Sequence, residues 1–190
     1  MNILILSKSN ENTPNTIERQ LTEELSSRGH LVQLLQTDDL EQHFFQRENH
    51  PSQKLLKGFL SKHHHQRMER ILVPALKEHL SAHCYDAVIS TQIFSAEIMS
   101  RFMEDNGHFS AFTALIYTEN QWPSSCVQLS CDEYIVMSKQ AIRTMIDGGV
   151  AGKQIHLVQP SDHAVKELCS LLEELMQQWS ELLAALHAEH

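Results

Sequence analysis

The sequence predicts an α/β fold in which a doubly wound, mainly parallel sheet is covered by helices and followed by a long C-terminal helix. Short apolar segments typical of strands alternate with segments whose apolar residues recur at helical spacing. One strand, Tyr85–Thr91, has an Ala-Val-Ile centre that favours burial on both faces, as in parallel sheets. We therefore expect a single Rossmann-like domain over residues 1–160 and an amphipathic helix over residues 161–190.

The first half of the chain contains two predicted strands, one clear helix and a long polar stretch. Ile17, Leu21 and Leu25 recur at helical spacing, and Gly29 is a typical helix stop. Asp38 and Asp39 are expected to close the second strand. The predicted elements are strand Met1–Leu6, helix Asn15–Arg28, strand His30–Leu35, and a helical stretch Glu41–His83 that Pro51 and Pro74 are expected to break.

The second half continues the alternation, which is the pattern of a doubly wound sheet. The predicted elements are strand Tyr85–Thr91, helix Ser95–Glu104, strand Ala111–Thr118, strand Glu133–Met137, helix Lys139–Asp147, strand Gln154–Gln159 and, after Pro160, a final helix Asp162–Ala188.

Ligands of such sheets bind beyond the carboxyl ends of the strands, so candidate binding residues are expected there. Polar and aromatic side chains follow three of the predicted strands. The loop Ser7–Asn15, between the first strand and the first helix, contains no glycine and no histidine. The candidate ligand-binding residues are Ser7, Ser9, Asn10, Thr13, Gln92, Phe94, Glu119 and Trp122.

Composition excludes several classes of function. The formal charge is −9, so no global basic field attracts nucleic acid, and we expect no nucleic-acid partner. No apolar run approaches the roughly 18 residues of a membrane span. The four cysteines include no second pair at the spacing of zinc ligands. The three consecutive histidines His63–His65 do not make a metal site either, so we expect neither metal nor cofactor. These features predict a cytoplasmic protein.

A basic, amphipathic segment interrupts this acidic chain. Between Pro51 and Arg70 there are five basic residues against Glu69 alone, with apolar side chains among them. Charge runs are usually solvated helix faces, but such a segment also suits contact with an anionic membrane. The candidate membrane-surface residues are Lys54, Lys57, Phe59 and Lys62, which would place the protein at the inner face of the membrane.

The final helix carries a regular apolar stripe from Val165 to Leu186, with spacings that alternate between three and four residues. Two interpretations remain open. The stripe packs on its own domain, or it forms a coiled-coil-like seam with a second copy of the chain.

Three segments resemble one family. They are MNILILSKS with the helix that ends in SSRGHLVQLL, then YDAVISTQIFSAEIMSRF, and then TALIYTENQW with CDEYIVMSKQAIRTMIDGGVAGKQIHLVQP. Together they resemble the amino-terminal half of monogalactosyldiacylglycerol-synthase-type and processive diacylglycerol glucosyltransferases, relatives of the peptidoglycan lipid-linked N-acetylglucosaminyltransferase. That family has two facing Rossmann-like domains (the GT-B fold). The resemblance implies that this chain corresponds to the first, which binds the lipid acceptor, whereas the second binds the nucleotide-sugar.

Three positions depart from the family pattern. Residues 11–14 (Glu-Asn-Thr-Pro) stand where the family has a glycine-rich loop that ends in a catalytic histidine. Gln92 replaces a histidine, and Thr118-Glu119 replaces Thr-Asp. With a donor domain also missing from these 190 residues, we expect a degenerate acceptor-domain-like protein, a binding or partner module without independent glycosyl transfer. A separate donor-domain subunit is one expected partner.

Two alternatives stay open at this stage. The loop residues Ser7, Ser9, Asn10, Thr13, Asn15 and Thr16 are also similar to the loop that holds a flavin phosphate in flavodoxin-like oxidoreductases, with Thr91–Phe94 as the isoalloxazine contact. The other alternative is an assembly module that dimerises through Val165–Leu186.

Overall fold

The computed structural model describes residues 1–8, 16–47, 68–107, 109–123 and 129–188. Within these ranges six strands form one sheet in the order β2-β1-β3-β4-β5-β6, and every neighbouring pair is parallel. The predicted α/β fold with a parallel sheet and a long C-terminal helix is therefore confirmed. The strands are β1 (Asn2–Ser7), β2 (Leu31–Gln36), β3 (Ala87–Ser90), β4 (Phe112–Tyr117), β5 (Glu133–Val136) and β6 (Ile155–Leu157).

Helices cover both faces of this sheet. They are α1 (Thr16–Ser27), α2 (Thr37–Arg47), α3 (Val73–Ala82), α4 (Ile93–Asn106), α5 (Lys139–Asp147) and α6 (Ala164–Ala188). A π-helical turn (Met68–Leu72) leads into α3, and a 3₁₀ turn (Gly152–Gln154) precedes β6. Among these described helices, none is long and apolar enough to cross a membrane.

The two faces of the sheet contribute to separate apolar cores. On one face, Ile3, Ile89 and Ala114 pack with residues of α1 and α6. On the other face, Leu4, Val88 and neighbouring residues pack with α2, α3 and α4, while Leu115 and Val136 pack with α5. The alternation follows from the two-residue period of a strand, which sends successive side chains to opposite faces.

Two predicted breaks are helix starts in the structure. Pro74 lies in the first turn of α3, directly after the π-helical turn, because a proline there sacrifices no intrahelical hydrogen bond. Asp38 and Asp39, expected to close a strand, instead lie in the first turn of α2, where carboxylates suit the helix dipole. The break predicted at Pro51 lies outside the described residues.

The C-terminal helix α6 packs on its own domain through its first half. Leu168, Leu172 and Met176 are buried in the core between α1 and the sheet. The stripe then continues past the sheet, and the side chains of Leu182 and Leu186 are each 52% exposed. Trp179 also packs on the domain, because its ring lies against Phe112 and its Nε1–H donates to the Ser110 carbonyl (3.1 Å). The first of the two interpretations thus holds as far as Trp179. Self-association through the exposed end, and the domain boundary at residue 160, stay predictions.

A charged cluster joins α6 to the turn after α1. Arg28 donates to Glu173 (Nη1 to Oε2, 2.8 Å) and to Glu24 (Nη2 to Oε1, 2.9 Å), and these hydrogen bonds raise the pKa of Arg28. His30 Nε2 lies 2.9 Å from the other Glu173 oxygen. Partial burial acts to raise the pKa of Glu173, but the hydrogen bonds from His30 and Arg28 outweigh it, so the pKa is lowered. The cluster favours the ionised form of Glu173.

We expect the Glu173→Gln variant to unfold more easily than the wild type at pH 7, by about 1 kcal/mol because the group is partly exposed. A lowered carboxylate pKa contributes stability that is present above the unfolded-state pKa of about 4.3 and is lost as pH falls through the folded-state value. Urea unfolding at several pH values measures the difference, which should shrink below pH ~4. The control Glu181→Gln changes an exposed carboxylate of the same helix; an equal effect there would contradict the assignment.

Candidate functional site

The carboxyl ends of β1, β3 and β4 enclose a pocket of about 400 Å³. Strand order reverses between β1 and β3: α1 returns the chain to β2 on one side, while the later strands continue on the other. Ligand crevices of doubly wound sheets lie at such a switch point. The lining residues are Lys8, Ile17, Thr91, Gln92, Ile93, Phe94, Tyr117, Thr118 and Glu119.

The start of α4 holds Gln92 and Phe94 at this pocket. Gln92 is the N-cap residue, with an extended backbone. The Ser95 hydroxyl donates to the Gln92 carbonyl (2.8 Å) and accepts from the Gln92 N–H (3.3 Å), while the Gln92 side chain accepts from the Ser95 backbone N–H. This reciprocal capping box satisfies donors of the first turn. Gln92 also lines the pocket, and the N–H₂ group of its side-chain amide takes no part in the capping box.

Lys8 and Glu119 supply the charges of the pocket. Among its described lining residues, Lys8 is the one cation, and its ammonium lies 5.4 Å from the centre of the Phe94 ring. Such a contact with the face of an aromatic ring attracts a cation and limits its motion. Glu119 is the one carboxylate, and its Oε2 lies 3.4 Å from the Tyr117 hydroxyl. The pocket therefore offers a charged group that only donates hydrogen bonds, after β1, and a charged group that only accepts them, after β4.

Two of the candidate residues lie beside the pocket without lining it. Ser7 is fully buried, and its hydroxyl donates to the Lys8 carbonyl (3.3 Å). Trp122 is only 5% exposed and packs edge-on against Tyr117 and Tyr134, with ring centres 5.3 and 6.0 Å apart. Tyr117 also donates to the Gln121 carbonyl. Trp122 thus anchors the loop after β4 in the core.

Of the candidate ligand-binding residues, Gln92, Phe94 and Glu119 line this pocket. The other loop candidates, Ser9, Asn10 and Thr13, lie outside the described residues, as do the membrane-surface candidates Lys54, Lys57, Phe59 and Lys62.

Sequence reasoning missed a buried carboxylate beneath the pocket. Glu18 of α1 is 3% exposed and accepts a 2.5 Å hydrogen bond from the hydroxyl of Thr91, which follows β3. The bond crosses the switch point and ties the first turn of α1 to the end of β3. A signal was present, because Glu18, Leu21 and Leu25 share the three-four spacing of one helix face, and that face is buried.

Of the free cysteines in the described part of the chain, Cys84 is exposed and the other two are buried. No group of three or more histidine, cysteine or acidic side chains there is arranged to hold a metal ion. Cys131 and Cys169 are buried, and burial raises the pKa of both thiols to about 12, which leaves them unreactive.

The contacts do not support the flavin alternative. Thr91, one of the expected flavin contacts, gives its hydroxyl to Glu18, and the Gln92 backbone and side chain form the capping box of α4. The Thr91 hydroxyl is thus engaged in holding the fold together, whereas the side-chain amide N–H₂ of Gln92 takes no part in the capping box.

The solved structure of another protein shares the fold of this chain, although the sequence matches no known family. No family model and no curated protein matches the sequence. The structure superposes on the apo form of the lipopolysaccharide outer core galactosyltransferase WaaB with a TM-score of 0.58 and 14% identity, over 84% of this chain and 45% of that one. HepE of Anabaena, solved with UDP, gives 0.48 and 13%, over 91% and 50%. Smu.1420 of Streptococcus mutans gives 0.32 and 14%, over 94% and 100%.

The likeness to WaaB carries the fold assignment, because the other two TM-scores are below 0.5. This chain spans about half the length of WaaB and of HepE. It therefore has a glycosyltransferase-like, Rossmann-type α/β fold.

We expect Thr91→Val to destabilise the protein by about 1–3 kcal/mol, because it removes a hydrogen-bond donor from the buried Glu18 carboxylate while keeping the side-chain volume. Chemical denaturation measures the change. The matched control is Thr118→Val at the exposed rim of the same pocket, where a loss of under about 0.5 kcal/mol is expected. Equal losses of unfolding free energy in the two variants would show that the Thr91–Glu18 hydrogen bond does not stabilise the protein.

Proposed function

We propose that this chain is an acceptor-domain-like protein related to lipid glycosyltransferases. In this proposal it binds a polar, hydroxyl-rich ligand in the switch-point pocket and does not transfer a sugar by itself. The observation that carries the proposal is the convergence of Lys8, Gln92 and Glu119 at the carboxyl ends of three parallel strands. The glycosyltransferase-like fold supports it.

The lining chemistry supports a sugar-like ligand over an acyl chain. An ammonium, a side-chain amide, a carboxylate and the hydroxyls of Tyr117 and Thr118 supply both donors and acceptors. Phe94 adds one aromatic face, suited to the apolar C–H surface of a sugar ring. A long apolar chain would leave these polar groups without partners, which costs free energy.

The same lining supports binding without chemistry. Glycosyl transfer needs a group that accepts a proton from the attacking hydroxyl. The described lining residues include no histidine, and Glu119 is their one carboxylate. Gln92 stands where the resembling family has a histidine, and an amide does not act as a base at neutral pH. We infer that a nucleotide-sugar site, if this chain serves one, belongs to a partner.

An NMR titration with methyl galactoside and methyl glucoside tests the binding step. We expect shifts at the backbone amides of Gln92, Phe94 and Glu119. Gln92→Ala or Glu119→Gln should weaken binding about three- to tenfold, the effect of one lost hydrogen bond. The control Gln177→Ala alters an exposed amide of α6 and should bind as the wild type does.

A transfer assay with UDP-galactose and diacylglycerol completes the test. The 190-residue chain alone should form no glycolipid. Glycolipid formation by the pure chain would overturn the proposed inactivity, and absence of sugar-induced shifts at the pocket would overturn the binding role.

We also propose weak contact with anionic membranes through the basic segment that contains Lys54, Lys57, Phe59 and Lys62. Its amphipathic composition in a chain of net charge −9 supports this proposal. The wild type should sediment with anionic vesicles more than with neutral ones, and Lys54→Glu combined with Lys57→Glu should abolish the difference. Lys139→Glu combined with Lys153→Glu makes the same charge change elsewhere. Equal sedimentation of the wild type with both vesicle types would refute the contact.

A further inference from the structure

A second pocket, of about 320 Å³, lies at the opposite edge of the sheet from β6, between β2, α2 and α3. Its floor is apolar, formed by Leu35, Leu40, Ala75 and Ala82. None of its described lining residues belongs to the switch-point pocket. Its size suits a small organic molecule.

Aromatic rings form much of its wall. His43 and Phe44 come from α2, His79 comes from α3, and His83 follows the end of α3. The rings of His79 and His83 are stacked, with centres 4.6 Å apart and planes at 27°. Both imidazoles line the pocket, and their stacking joins them into one aromatic surface.

Hydrogen bonds determine which nitrogens of the two imidazoles carry protons. The Tyr85 hydroxyl donates to Gln33 Oε1 (2.5 Å) and therefore accepts from His79 Nε2–H (2.8 Å). His83 Nδ1 lies 2.9 Å from the His79 carbonyl oxygen, which only accepts, so His83 Nδ1 carries a proton. Burial, and the neighbouring His83 and His43, lower the pKa of His79 and favour its neutral form.

The charge of the pocket is negative at neutral pH. Asp39 and Glu78 line it, and no lysine or arginine does among the described lining residues. Within the part of the chain that is described, the Asp39 carboxylate has no hydrogen bond and no ion pair with another side chain. Asp39 is an exposed residue that lines a pocket with aromatic and apolar walls. A cation with an apolar body can contact the carboxylate, the aromatic rings and the apolar side chains of such a pocket at the same time.

We propose that this second pocket binds a small organic cation of the quaternary-ammonium type. The methyl groups contact the apolar floor, the positive charge lies against the faces of Phe44 and the neutral imidazoles, and Asp39 supplies the opposite charge. This site is independent of the proposed acceptor-like function, because the two pockets share no described lining residue.

Choline and its neutral isostere 3,3-dimethylbutan-1-ol provide the test. The two have nearly the same shape and differ in the charge of one atom. We expect choline to bind at least about tenfold more tightly, as a cation–π contact joined to a carboxylate implies. Binding is followed by the imidazole ring resonances of His43, His79 and His83, which locate the ligand. Failure of choline to move these resonances, or equal binding of the neutral isostere, would overturn the proposal.

The variant Asp39→Asn removes the charge and keeps the shape. It should weaken choline binding at least about fivefold and leave binding of the neutral isostere unchanged. Asp105→Asn, an exposed aspartate on α4, is the matched control and should behave as the wild type. Equal choline affinity in all three proteins would exclude Asp39 and contradict the proposed site.

Discussion

Burial of both faces of the central strands is the constraint on which the rest of this structure depends. Every residue of β3 and of β4 is buried, and so are five of the six residues of β1. A parallel sheet of this kind is stable only when helices cover each face. Because crossovers between parallel strands are right-handed, helices reach both faces only if the strand order reverses once. The reversal between β1 and β3 therefore creates the crevice in which the polar pocket lies.

The pocket combines an apolar scaffold with polar strand ends. Each strand contributes polar or aromatic residues only after its buried segment is complete, so the pocket's hydrogen-bonding groups come from three separate parts of the chain. The Glu18–Thr91 bond and the capping box of Gln92 and Ser95 hold these parts in place. The groups left over for a ligand are those of Lys8, Glu119 and the pocket-facing amide. They are suited to the recognition of a polar ligand.

The strands and most helices were predictable because their signals are local. The helix Lys139–Asp147 was predicted with the bounds that the structure has, since Ser138 is a good N-cap and Gly148-Gly149 a good stop. Pro74 is harder to interpret from sequence alone. A proline inside a helix breaks it, whereas a proline in the first turn is tolerated, and only the three-dimensional path of the chain distinguishes the two cases.

Parts of the candidate site depend on contacts between distant residues, which no local pattern contains. Trp122 follows β4 as expected, but its ring is drawn into the core by Tyr117 and Tyr134, and the second of these lies on another strand. Glu18 was overlooked because a carboxylate in a first helical turn is usually an exposed helix-dipole partner. Its burial depends on Thr91, 73 positions away.

The attachment of α6 has a bearing on how the chain folds. Arg28 and Glu173 are separated by 145 positions, yet α1 and α6 share one apolar layer over the sheet. During synthesis all six strands emerge from the ribosome before the helix that completes this layer. Until then Ile3, Ile89 and Ala114 have only α1 to cover them on that side. Contacts of such long range form slowly, and the unfinished face is of the kind that aggregates or recruits chaperones.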